Sequence, residues 1–238
     1  MYEILMETPS PFGGEGFLFD LWRILIDTPR WTWLAEGLAV TLQITAGAIL
    51  LGLTLGMILA LMRISRFWPL RWLATAYITL FRGTPIVSQL FIWWFVIFMP
   101  MGADRMLVAI IAFGANSAAY CCEIFRGGIM SLDKGQTEAG RSVGLSSFQN
   151  FRHIVLPQAL KNSLAPLSNE LADVLKTTSV VGFIAVNDLQ RQAHLILTGT
   201  FNAPVPLLVS AAIYFMVIAL VTWLLSLLER RLRKGDLR

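Results

Sequence analysis

This sequence predicts an all-helical, polytopic membrane protein, on three observations. Hydrophobic residues make up 56% of the 238 and charged residues 14%, the mean hydropathy is +0.65, and long apolar runs recur along the chain. A surface this apolar needs lipid rather than water as its solvent. A hydrocarbon core of roughly 30 Å takes about 20 residues per helix, so the length holds five or six spans and no sizeable soluble domain such as an ATPase. The net charge of +4 does not point to nucleic acid, because the basic residues cluster at the ends of the apolar runs.

Residues 1–33 read as an external N-terminal segment. The first 16 residues hold Glu3, Glu7 and Glu15 and no Lys or Arg, unlike the basic start of a cleavable leader, so the segment is expected to be retained. Phe17 to Ile26 reads as a short interfacial helix, with a partly inserted sixth span as the alternative. The transmembrane region is expected over 34–228. Its first span is Leu34 to Met62, where Gly47, Gly52 and Gly56 allow close helix packing. The second, Leu73 to Phe98, should kink or break at Arg82-Gly83-Thr84-Pro85, because proline removes a backbone donor and disfavours helix in the residue before it. Met106 to Ile129, Leu164 to Ala185 and Pro206 to Leu228 complete five spans. Residues 229–238 form a basic tail. Trp31, Trp33, Trp68, Trp93 and Trp94 lie near the expected interfaces, where aromatic belts form.

Positive charge follows the first span (Arg63, Arg66, Arg71), the third (Lys134, Arg141, Arg152, Lys161) and the fifth (Arg230, Arg231, Arg233, Lys234). This asymmetry predicts an external N-terminus and a cytoplasmic C-terminus. Cys121 and Cys122 are adjacent within an apolar run, with neither disulfide geometry nor metal-ligand spacing, and read as small buried residues. His153 and His194 lack partners for nucleophilic catalysis, and enzyme activity is not expected.

Between Ser131 and Pro157 polar sequence breaks the apolar pattern. Two short helices are expected, the first capped by Asp133 and ended by a left-handed Gly144, the second capped by Ser146. Glu138, Ala139 and Gly140 fall on the first, where two small residues let a partner surface approach.

Within the spans, polar groups are costly and usually face a cavity or a partner. In the fourth span Pro166, Glu170, Asp173 and Thr177 recur on one helical face. Such a face can line a pathway and meet a zwitterion, its carboxylates attracting an ammonium; the alternative is structural, with Asp173 paired to Lys176 and Glu170 packed against a neighbouring subunit. Gln89 and Arg82 flank the break in the second span and Asn116 lies in the third; these are weaker candidates, and Arg82 bonding the free carbonyls at the kink is an equal reading. Glu123 and Arg126 read as an i, i+3 salt bridge.

Glu138-Ala139-Gly140, Gly144, and Ile154-Val155-Leu156-Pro157 together resemble the "EAA" signature of inner-membrane permease subunits of bacterial ATP-binding-cassette importers. Phe81-Arg82-Gly83-Thr84-Pro85 and Leu156-Pro157-Gln158-Ala159-Leu160 resemble its polar amino acid branch, from about Thr32 to the C-terminus. Gly140 departs from the family's usual second Ala. The resemblance implies a type I importer permease whose segment 131–157 docks on a cytoplasmic ATPase subunit through Glu138, Ala139, Gly140, Gly144 and Pro157. It also implies two such ATPases, a second permease that is identical or a sister, an external solute-binding protein, and a polar amino acid or derivative as cargo. No cofactor is expected in this chain; ATP and Mg would sit on the ATPase subunits, since no phosphate-binding loop is present. In similar permeases Glu170 and Thr177 fall at substrate positions, and Thr177 in place of an acid weighs against a cationic substrate. The rival readings are a stand-alone channel or an ion-coupled transporter.

Overall fold

The computed structural model describes residues 16–233; the expectations for residues 1–15 and for the end of the tail from Lys234 lie outside them. Among the described residues every regular element is a helix: α1 (Phe17–Leu21), α2 (Trp31–Ile64), α3 (Trp68–Arg82), α4 (Ile86–Phe91), α5 (Arg105–Met130), α6 (Lys134–Ser142), α7 (Ser147–Asn150), α8 (Leu156–Thr177), α9 (Leu189–Thr200) and α10 (Pro204–Arg233), with wider or tighter helical turns joining several of them. By length and composition α2, α5 and α10 can cross a membrane, and α3 with Ile86–Met101 forms a fourth, broken span bent by 104°. The remaining expected span, α8, falls below that apolarity because it carries Lys161, Glu170, Asp173 and Lys176.

The chain divides into two compact units. The larger, 43–178 with 218–238, is centred on α5, whose apolar window is 61% buried against 6% for α10. Lipid supplies little hydrophobic drive between helices, so tight packing of small residues has to hold them. The buried face of α5 fits this, with Ala109, Ala112, Ala115, Ala118, Ala119, Cys121 and Cys122 along it. The expected glycines of α2 meet that face: a Cβ on Gly47 would fall 2.9 Å from Ile110 and one on Gly56 2.5 Å from Cys121. Ala74 and Ile78 of α3 join the same core with Phe125, and α5 makes its most extensive contact with α8.

The smaller unit, 1–42 with 179–217, packs Ile24, Leu25, Leu34, Leu189, Ala193, Ile196 and Val205 together. Here α9 occupies what the sequence presented as an external loop. Buried Asp188 caps it, accepting from the backbone N–H of Arg191 at 3.0 Å and of Gln190 at 3.2 Å, while the Tyr214 hydroxyl donates to the same carboxylate at 3.3 Å. Burial pushes the Asp188 carboxyl up to about 6.

The fourth span differs from expectation at both ends. The α-helix begins at Leu156, before the expected Leu164, with Pro157 in its first turn, where the wide turn Phe151–Val155 leads into it. After Thr177 the chain tightens into a 3-10 turn, Thr178–Ile184. The second short helix also does not end as an isolated piece, because α7 runs through the wide turn Phe151–Val155 into α8.

Candidate functional site: a polar pocket beside a broken helix, and an exposed elbow

The break in the second span is held by side chains. Gln89 Nε2 donates to the Phe81 carbonyl at 2.8 Å, to the Thr84 carbonyl at 3.1 Å and to Thr84 Oγ1 at 2.7 Å, and Asn116 Nδ2 donates to Phe81 O at 3.2 Å and Gln89 Oε1 at 3.0 Å. Backbone groups freed at membrane depth must find such partners. The bonding of free carbonyls considered for Arg82 therefore falls to Gln89 and Asn116. Arg82 lies instead over the Tyr120 ring, 5.2 Å from its centroid.

Beside the break is a pocket of about 420 Å³ with Thr84, Asn116, Tyr120, Glu170, Asp173, Lys176 and Thr177 in its wall. Of the five sequence-predicted substrate residues it gathers Glu170, Asp173, Thr177 and Asn116. Gln89, which is buried, and Pro166 lie outside its lining. Asp173 and Lys176 are ion-paired at 3.0 Å, which is the local pairing weighed for the fourth span. Glu170 has a different partner: it is 9% exposed and accepts from the Ser117 hydroxyl at 2.7 Å. Ser117, Thr84 and Tyr120 were not among the candidates. Tyr120 stands four residues after Asn116 on one helical face, a signal available in the sequence; Ser117 carries none, since its partner is 53 residues away.

At the end of α5, Glu123 bridges two helices as well as its own turn. It accepts from Arg126 at 2.7 Å, as expected, and from Arg63 of α2 at 2.7 Å.

The polar segment after α5 forms an elbow with the predicted caps. Asp133 accepts from Gly135 N at 2.8 Å, Gly144 has φ +87°, and Ser146 with Gln149 makes a reciprocal capping box. Glu138 and Ala139 are exposed. Gly140 is not: a Cβ there would lie 2.5 Å from Asn150 Oδ1 and 2.7 Å from Ile154 Cδ1. Its smallness lets α6 close on α7, and the residues left exposed on the elbow include Glu138 and Ala139 with the apolar Val143 and Phe148, 77% and 70% exposed. Asn150 donates to the Thr137 carbonyl at 2.9 Å while its own Oδ1 has no hydrogen-bond partner.

Apolar helices long enough to cross a membrane, one broken span with a polar pocket beside it and an exposed elbow are the architecture of a membrane permease. Over residues 52–234 the sequence matches the family of binding-protein-dependent transport system inner membrane components, and the chain belongs to that family. It is 37% identical to the arginine transport system permease of Bacillus subtilis, over 87% of this chain and 96% of that one. With a putative glutamine transport system permease of Rickettsia typhi it shares 32%, over 86% and 94%. Among solved structures, a crystal structure of an amino acid ABC transporter with histidines superposes with a TM-score of 0.81 at 37% identity, covering 87% of this chain and 98% of that one. An inward-facing methionine ABC transporter gives 0.77 at 18% identity, a likeness of fold alone.

Proposed function

We propose that the pocket around Glu170 is where a polar amino acid passes through this chain, which is a permease subunit of an amino acid importer of the ATP-binding-cassette class in the bacterial inner membrane. The observation that carries the pocket's role is a buried carboxylate, bonded to a single hydroxyl, in a wall of hydroxyl, amide and charged groups. A zwitterion complements that wall: Glu170 faces its ammonium, and Lys176, whose bond to Asp173 uses only part of its ammonium's donor capacity, offers donors to its carboxylate. Asp173 and Lys176 neutralise each other, and Thr177 adds no charge, which favours a side chain without a positive charge. Asp173, Lys176 and Thr177 are exposed on this chain alone, a costly state at membrane depth, so a second copy or a sister permease closes the pathway.

An importer of this class works with an ATPase and an external binding protein. The elbow is the docking surface for the ATPase, with the Glu138 carboxylate accepting from partner donors and Val143 and Phe148 entering an apolar groove; two ATPase subunits carry the ATP and Mg. The asymmetry of the loop charges supports an external N-terminus and a cytoplasmic C-terminus.

The test is uptake of radiolabelled L-histidine, L-glutamine, L-glutamate and L-arginine by vesicles holding the assembled complex. ATP-dependent uptake of at least one is expected. Flux through the chain without ATPase or ATP would instead establish a channel or an ion-coupled transporter.

A further inference from the structure

Glu170 borders two cavities of opposite character. One is the polar pocket. The other, about 260 Å³, is walled largely by Ile49, Leu53, Leu164, Leu167, Leu171 and Leu225, with Cys121 beside Glu170. A carboxylate at such a boundary can turn either way, and only one orientation presents it to a solute.

The group that fixes its orientation is Ser117. Hydroxyls inside helices usually donate to a carbonyl of their own preceding turn, as Ser163, Ser168 and Thr177 do here at 2.8, 2.9 and 2.9 Å. Ser117 instead donates across from α5 to Glu170 Oε1 on α8. Its own position is tightly held. It is 1% exposed, its Oγ lies 3.7 Å from Cys121 Sγ, and α2 presses on it at Gly52, where a Cβ would come within 2.8 Å of that Oγ.

We propose that Ser117 is a positioning residue for solute recognition: its hydroxyl fixes the Glu170 carboxylate in the one orientation in which it borders the polar pocket as well as the apolar cavity. This inference rests on the reading of that pocket as the solute site. It adds a residue on the preceding span, and it makes the contact of α2 with α5 at Gly52 part of the recognition apparatus.

The experiment is equilibrium binding of the same four radiolabelled amino acids to the purified permease–ATPase complex. The binding protein is left out so that external capture does not set the measured Kd. Ser117→Ala should weaken binding of the transported amino acid about five- to tenfold at unchanged assembly yield. Ser117→Cys, which keeps the branching with a slightly larger and weaker donor, should fall between wild type and Ser117→Ala, and stands in for it if the alanine variant does not assemble. In a Glu170→Gln background, Ser117→Ala should have no further effect. An unchanged Kd in both Ser117 variants beside a weakened Glu170→Gln would overturn the positioning role and leave the pocket reading intact, as would additive losses in the double variant. An unchanged Kd in Glu170→Gln as well would overturn the pocket reading itself.

Discussion

The elbow and the pocket, both in the larger unit, are built from opposite kinds of contact. In the elbow, hydrogen-bond partners stand two, three and thirteen residues apart: Asp133 with Gly135, Ser146 with Gln149, Asn150 with Thr137. Around the pocket they span 35 residues from Asn116 to Phe81, 38 from Tyr77 to Ala115 and 53 from Ser117 to Glu170. A piece held by its own neighbours keeps its shape when pushed. A cavity whose walls come from separate helices changes shape when those helices shift. The two suit their proposed tasks, one receiving force and the other opening and closing on a solute.

Breaking the elbow should have the largest effect. Glu138→Lys reverses the charge of the proposed docking face without touching a span, so uptake should be abolished, and pull-down of the ATPase should fail while the chain still reaches the membrane. The pocket counterpart is Glu170→Gln. Losing a charge-assisted bond of about 1.5 to 3 kcal/mol should weaken amino acid binding by tenfold or more at unchanged complex yield. A loss of assembled complex with normal affinity would make Glu170 structural.

Smaller effects sharpen the contrast. Gly140→Ala should cost about 1 to 3 kcal/mol of local stability by overpacking against Asn150, seen as a lower melting temperature and weaker ATPase association. Asn150→Ser in the same chain should restore part of the loss, which is the signature of a local fault. Thr177→Asp should shift preference toward L-arginine over L-glutamine by about fivefold, the modest scale expected for an exposed charge.

The smallest effect lies in the other unit, at Asp188. Its folded pKa, about 6, is above the ordinary 3.8, so the fold favours the protonated acid. The associated stability is full below 3.8 and is lost as pH rises through about 6. Asp188→Asn keeps an N-cap and stays neutral, so the melting temperature of its complex should fall less between pH 5 and 7 than that of the wild type.

How much could be read from the sequence follows the same division. Asp133, Gly144 and Ser146 announced the elbow because caps and left-handed turns are written in adjacent residues. The face of α8 was legible as a three- and four-residue rhythm of polar groups in an apolar context. Ser117 was not, because a lone serine in a small-residue helix gains meaning only from the helix across from it. Helix α9 was missed because Leu189–Thr200 mixes Gln, Arg and His with a short apolar run, and what stabilises it, Asp188 with Tyr214, spans 26 residues. Gly140 was read with the wrong neighbour, since only the fold shows Asn150 lying against it.

The central claim, that the α8 pocket receives the transported amino acid, is tested most directly by protection of Thr177→Cys in a chain with Cys121 and Cys122 replaced by alanine. Labelling by a small water-soluble thiol reagent would be followed in vesicles of the permease–ATPase complex, with and without that amino acid at saturation. The account predicts slower labelling in its presence and an unaltered rate with an amino acid the complex does not transport. The same rate in all three conditions would contradict it.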